Sequence, residues 1–208
     1  MAAQVSGASS ALPALGDLFN GSLVRLGALG KDDTKTIQQW NQQADYGRLL
    51  DDDPHRLLSV LQLEREFARD VGKNKDEIDF GIRTLADNQL IGFCSIEPIW
   101  SHRGAWVAIG IGSPQYRGKG YGTDAMRLLV GYGFRELDLQ RITLNVFGYN
   151  QRAMRSYEKV GFIHEVTQRA ALYRDGQRHD ILVMGLLRRE WEDQQARHVT
   201  TLEETLRS

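Results

Sequence analysis

Apolar and polar positions change period several times along the chain, and each change marks an element. Ser22–Leu29 alternates, with Leu23, Arg25 and Gly27 set against Val24, Leu26 and Ala28, as a first strand does. Asp32 or Asp33 can cap a helix running to about Ala44. An acidic turn, Asp51-Asp52-Asp53-Pro54, leads into a second predicted helix from His55 to about Val71, with Leu57, Leu58, Leu61 and Leu63 among its apolar positions. Two strands follow, about Phe80–Ala86 and Leu90–Glu97, joined by the polar pair Asp87-Asn88. Gly104–Gly112 is apolar on both faces, which predicts a strand buried in mid-sheet.

The second half is as legible. After a glycine-rich turn at Ser113–Gly120, the predicted helix Tyr121–Leu137 carries Met126, Leu129, Val130, Gly133 and Leu137 on one stripe. Arg141–Phe147 alternates as a strand. Asn150 can cap a short helix that runs to about Val160 and ends at Gly161. Two long strands, Ile163–Tyr173 and His179–Leu187, flank Asp175-Gly176, the strongest short hairpin signal. Residues 1–21 read as a mobile lead-in with a short helical turn around Leu12–Leu18, and 189–208 as a polar, helix-compatible extension. The expectation is one mixed α/β (α+β) domain over 22–188, with a mostly antiparallel seven-stranded sheet and about four helices.

Composition narrows the function more than the fold. At 208 residues the chain fits a single domain with modest extensions. Lys and Arg total 26 against 27 Asp and Glu, so no basic excess points to nucleic acid. The one cysteine, Cys94, has no internal partner, and the histidines show no metal-ligand spacing, so no metal is expected. The longest mostly apolar run, Ile181–Leu187, is far short of the roughly 20 residues that span a bilayer. No Lys or Arg precedes Arg25, so a secretory n-region is missing and a cytoplasmic protein is expected.

The chemistry concentrates in Gln115-Tyr116-Arg117-Gly118-Lys119-Gly120-Tyr121-Gly122-Thr123, between a buried strand and an amphipathic helix. Glycines there let main-chain N–H groups close on an anion, and the helix N-terminus adds donors and a positive dipole end. Counting removes three other glycine loops. Five residues separate Gly112 from Gly118, and Gly120 follows Lys119, so a Walker A loop fails. A dinucleotide fingerprint fails because this is G-x-G-x-G in mid-chain, with Asp138 at the end of the same helix. A kinase loop joins two strands, which this one does not. The bland reading is that the glycines serve only strand–helix packing.

Arg117-Gly118-Lys119-Gly120-Tyr121-Gly122 resembles the pyrophosphate loop of the GNAT superfamily of acetyl-coenzyme-A-dependent N-acetyltransferases. Ile91–Ile96, Ile111-Gly112-Ser113-Pro114, Gly122-Thr123-Asp124-Ala125, Asn150 with Ser156–Phe162, and Tyr173–Gly176 are similar to the branch of ribosomal-protein alanine and spermidine acetyltransferases. The resemblance covers about residues 22–190. It implies a GNAT fold and acetyl-CoA as cosubstrate, with Ile109, Gly110, Ile111, Arg117, Gly118, Lys119, Gly120, Tyr121, Gly122, Thr123 and Asn150 as the coenzyme-binding positions. It also implies that Tyr157 protonates the departing thiolate, where the bland reading is a core tyrosine.

The acceptor side departs from the family pattern. Many relatives carry Glu two residues before the position of Ala108, and this chain has Trp106. Glu97 at the end of the third strand is then the candidate base, acting through water, or else a solvated strand-end charge; His102 is weaker still. Asp45 and Asp51–Asp53 can steer a cationic amine or be a plain solvated turn. Direct acetyl transfer to a peptide α-amine or small primary amine is the expectation. Alternatives are a polyamine acceptor, a hydroxyl acceptor, a longer-chain acyl donor, and a coenzyme-binding sensor without turnover. The long terminal hairpin needs cover at its outer edge, from the tail or a partner subunit, and a homodimer is expected.

Overall fold

The computed structural model describes residues 17–70 and 76–207, the side chains of 66–70 and 198–207 aside. The helical turn expected around Leu12–Leu18 lies almost entirely outside the described residues, as does the C-terminal end of the helix expected to reach Val71. The strands are β1 (Val24–Gly27), β2 (Ile78–Thr84), β3 (Leu90–Ile99), β4 (Gly104–Ile111), β5 (Arg141–Phe147), β6 (Ile163–Arg174) and β7 (Gln177–Leu187). The helices are α1 (Thr34–Asn41), α2 (Ala44–Leu50), α3 (Val60–Asp70), α4 (Tyr121–Arg135), α5 (Gln151–Val160) and α6 (Arg188–Arg207). The two beyond the expected four are α2 and the polar tail helix.

One seven-stranded sheet runs in the order β1-β2-β3-β4-β5-β7-β6. Every neighbouring pair is antiparallel except β4 and β5, whose parallel register covers only Gly104–Trp106 against Arg141–Thr143. Beyond Trp106, β4 follows β3 while β5 follows β7, so the sheet opens into a V. On one face, Met126, Leu129, Val130 and Phe134 of α4 pack fully buried against Ile82, Ile96, Ile142 and Leu144 of the strands. The stripe read from the sequence requires Gly133, because a Cβ there would lie 2.9 Å from Ile142 and 3.0 Å from Ile96. On the other face, Ile37, Trp40, Tyr46 and Leu63 of α1–α3 cover the first half of the sheet with Leu90.

Three local findings depart from the periodicity. The helix expected from His55 begins at Val60, because Ser59 and Gln62 form a capping box: Gln62 N–H donates to Ser59 Oγ at 3.2 Å and Ser59 N–H to Gln62 Oε1 at 2.9 Å. Upstream, Leu58 N–H is held by Asn41 Oδ1 at 2.6 Å and the His55 ring by Asn41 O at 2.8 Å, bonds that a helix would not permit. The helix expected to reach Ala44 stops at Asn41, and α2 starts anew after Gln43 adopts extended backbone. Among the described residues, β6 stays exposed along nearly its whole length beside the tail helix. That helix packs on α4, Trp191 against Phe134 at 5.4 Å, while Arg188 donates to Leu139 O at 2.9 Å. Among the described residues no helix is long and apolar enough to cross a membrane.

Asp124, in the first turn of α4 and 8% exposed, accepts from Leu23 N–H at 2.7 Å and Val24 N–H at 3.1 Å. It ties the edge strand β1 to the helix behind the sheet. Asp124→Ala leaves two strand donors unpaired and should destabilise by about 2 kcal/mol, read as a fall in Tm of about 4–8 °C. An unchanged Tm would show that the tie is not structural.

Candidate active site

Where β4 and β5 part, a cleft of about 430 Å³ passes through the sheet. Its floor is Ile109, Gly110 and Ile111 of β4; one wall is Gly118, Gly120, Gly122 and Thr123; α5 supplies another through Asn150, Arg152, Ala153, Arg155, Ser156, Tyr157 and Lys159. Tyr46, Leu49 and Leu50 of α2 close the opposite side. The glycine turn is built for open backbone. Gly118 and Gly120 have φ of +74° and +91°, which other residues adopt at a cost, and nothing lies within 4 Å of where a Cβ on Gly118 would sit. Packing therefore does not explain Gly118. The loop feeds the N-terminus of a 15-residue helix, whose first-turn N–H groups have no intrahelical acceptors.

The cleft fits a phosphate-bearing, extended ligand. Beyond Trp106 the β4 edge facing β5 has no strand partner, so its main-chain groups are available to an added chain. Arg152, Arg155 and Lys159 recur every three to four residues on one face of α5 and bring three cations to the cleft. That spacing was visible in the sequence and was not read there. Ser156 Oγ and Thr123 Oγ1, 2.7 Å apart, pin α5 to the start of α4.

Most positions drawn from the resemblance converge here: Ile109, Gly110, Ile111, Arg117, Gly118, Gly120, Gly122, Thr123, Asn150 and Tyr157 all line the cleft. Arg117, however, spends its donors on Ile111 O at 2.8 Å and Gly112 O at 2.6 Å, clamping the end of β4. Burial and the neighbouring Arg152 lower its affinity for a proton. Asn150 caps α5, accepting from Ala153 N–H at 3.2 Å, so the cap and the cleft use one side chain. Lys119 is exposed and Tyr121 stands edge-on to Tyr116 at 5.0 Å; neither lines the cleft. Tyr157 does, with its ring 6.1 Å from Phe162, and burial pushes its hydroxyl up to about 12. It is a phenol at neutral pH, able to give a proton and not to take one.

Glu97 is not brought to the cleft. It pairs with Trp106 across the β3–β4 ladder, three residues before Ile109, or about 10 Å along the strand. Cys94 is fully buried in the core, where burial pushes its thiol up, so it is no acyl carrier. Asp51, Asp52 and Asp53 are exposed and line neither recess, with Asp53 N–H closing on Asp51 Oδ1 at 3.0 Å. Among the described residues no carboxylate or imidazole lines the cleft.

A second recess of about 410 Å³ adjoins the first on the α2 side and shares Leu49, Arg117 and Arg152 with it. Among the described residues, Arg48, Arg117, Arg152 and Arg174 line it with two carboxylates, Asp45 and Asp175, and with His179, whose ring meets Tyr149 edge-on at 5.0 Å. Arg174, at the tip of the β6–β7 hairpin, donates to Asp51 O at 3.0 Å and to Tyr149 Oη at 2.8 Å, and Arg48 pairs with Asp175. The hairpin is thereby latched to the C-terminal end of α2.

This splayed sheet with a glycine turn at its opening is the architecture of an acyltransferase. Residues 24–163 match the Acetyltransferase (GNAT) domain model, and the chain belongs to that family. It is 34% identical over 113 residues to the putative ribosomal N-acetyltransferase YdaF of Bacillus subtilis, a match covering 52% of this chain and 59% of the relative, and so about three-fifths of that relative's length. Against the spermidine N(1)-acetyltransferase of Escherichia coli it is 26% identical over 170 residues, 81% of this chain and 88% of the other. The crystal structure of spermidine N-acetyltransferase from Vibrio cholerae in complex with CoA and spermine superposes with a TM-score of 0.73 at 25% identity, covering 81% of this chain and 97% of that one.

Proposed function

We propose that this protein transfers the acetyl group of acetyl-CoA directly to an acceptor α-amine, at a peptide N-terminus or on a small amine. The observation that carries the choice of acceptor is the missing base: among the described residues no Asp, Glu or His lines the cleft, and in the adjoining recess Asp175 is paired with Arg48 while Asp45 and His179 share the space with three further arginines. An alkylamine with pKa near 10.4 is uncharged in only roughly one molecule in 10³ at neutral pH, whereas an α-amine near 7.7–8.0 is free in roughly a tenth. Without a base, the free fraction favours the second by roughly a hundredfold. The recess beside α2, with four arginines to two carboxylates, also repels a polycation.

Acetyl-CoA supplies an activated acyl carbon and a thiol leaving group. The glycine turn and the first-turn amides of α4 hold its pyrophosphate, with Arg152, Arg155 and Lys159 meeting the phosphates from α5. The unpaired edge of β4 at Ile109–Ile111 aligns the pantetheine arm as an added strand. Tyr157 gives its proton to the departing thiolate. The amine proton leaves to water.

A second reading, acetylation of a polyamine, is favoured by the likeness to spermidine acetyltransferases. A thiol-release screen of spermidine and spermine against short peptides of differing first residue, run from pH 6.5 to 9, separates them. The expected result is a peptide that wins, with a rate following one ionisation near 8; spermidine winning at pH 7 would overturn the choice of acceptor. Tyr157→Phe should lower kcat by about 10²-fold with CoA affinity by calorimetry unchanged. Coenzyme binding with no thiol release from any amine would instead make the protein a sensor.

The same reading includes a homodimer. The outer strand β6 is exposed along nearly its whole length, with Ile163 and Val166 half open to solvent, an edge that invites a second copy. Light scattering should give twice the 23.6 kDa chain mass. A single-chain mass at every concentration would count against it.

A further inference from the structure

Tyr46 is 6% exposed, yet its hydroxyl is the one buried side-chain oxygen or nitrogen among the described residues without a hydrogen-bond partner. Such a group is unfavourable in a fold, and phenylalanine would fill the same space without it. The residue sits in the first turn of α2, its ring edge-on to Trp40 at 6.1 Å. Its hydroxyl lies over β4, 2.8 Å from where a Cβ on Gly110 would be, so glycine at 110 is what makes room for it. That point is past the end of the β4–β5 ladder, in the cleft that Tyr157 enters from the other side. The hydroxyl is brought to the strand without bonding to it, so its partner is something that enters the cleft.

Charge decides which kind of partner. The Arg117 guanidinium stands 5.5 Å from the centre of the Tyr46 ring, and among the described residues no carboxylate lines the cleft. Burial raises the phenol's affinity for its proton, so the group is a neutral donor throughout the physiological range. A neutral donor on a ring that lies under a cation suits an oxygen that gains negative charge, and not an ammonium.

We propose that the Tyr46 hydroxyl donates a hydrogen bond to the acetyl carbonyl oxygen as the amine attacks; this rests on the acetyl-transfer reading above. In that step the amine nitrogen bonds to the acyl carbon and the carbonyl π pair moves onto oxygen, where Tyr46 and the β4 main chain hold it. The pair then returns, the C–S bond breaks, the thiolate takes a proton from Tyr157, and the nitrogen gives one to water, from which the Tyr157 phenolate takes its proton back. Tyr46 is a catalytic residue that stays protonated throughout.

Tyr46→Phe tests this with three readouts. Activity against the best amine should show kcat lowered by about 10²-fold and KM for acetyl-CoA within about twofold. Thermal unfolding should show a Tm equal to or above that of the wild type, since an unpaired buried hydroxyl has been removed. The third readout needs no turnover: a ketone analogue of acetyl-CoA, with methylene in place of sulfur and a ¹³C carbonyl, is bound to each protein. The carbonyl resonance should move downfield in the wild type and less in the variant. Equal kcat with equal carbonyl shifts would overturn the role of Tyr46. A lowered Tm with kcat and analogue affinity falling together would make the hydroxyl structural and overturn it too. An analogue that binds neither protein would sink the acetyl-CoA reading itself, and this proposal with it.

Discussion

A parallel ladder only three residues long governs this structure. Gly104–Trp106 pairs with Arg141–Thr143, and past that point each strand keeps only its outer neighbour, β3 for β4 and β7 for β5. Bare main-chain donors and acceptors in the middle of a sheet are costly unless water or a ligand meets them. The two half-sheets are held at this angle from behind by α4 and α5, pinned together through Thr123 and Ser156, and in front by α2. Gly110 and Gly112 are consequences of the same constraint: a Cβ at either would strike Tyr46 or Trp40, the side chains that seat the front helices on β4. The opening, the walls and the missing side chains form one arrangement.

Polar groups follow from that arrangement. Cations gather where the helix start and the glycine turn already favour anions, so Arg152, Arg155 and Lys159 add to a field that the backbone begins. Arg117 does a different job. Its guanidinium closes the last carbonyls of β4 and lies over the Tyr46 ring, joining the strand end to α2. Arg174 performs the matching task from the hairpin, closing α2 from its other end. Arginine suits both positions because one planar fork satisfies several carbonyls at once.

Much of this was legible in the sequence, for identifiable reasons. Strand alternation, the two-sided apolar run of β4, the α4 stripe and Asp175-Gly176 are local signals whose period or turn chemistry survives without context; both turn residues do adopt positive φ, 53° and 75°. Elsewhere a distant partner overrides the local pattern. His55–Leu58 reads as helix until Asn41 takes the Leu58 N–H, and the capping box at Ser59 and Gln62 then sets the true start. Glu97 sits on the expected strand, but register, which no single strand reveals, places it opposite Trp106 and away from the opening. Tyr46 was invisible as a site residue because its meaning lies in Gly110, some sixty positions away in sequence. The α5 cations were a missed local signal.

We propose that the unpaired edge of β4 binds the pantetheine arm of acetyl-CoA. Amide hydrogen exchange, resolved by residue with and without the coenzyme, tests it most directly. Exchange should slow at residues 107–111 and at 118–123, with β6 unchanged. Coenzyme binding that leaves exchange at 107–111 unaltered would contradict it.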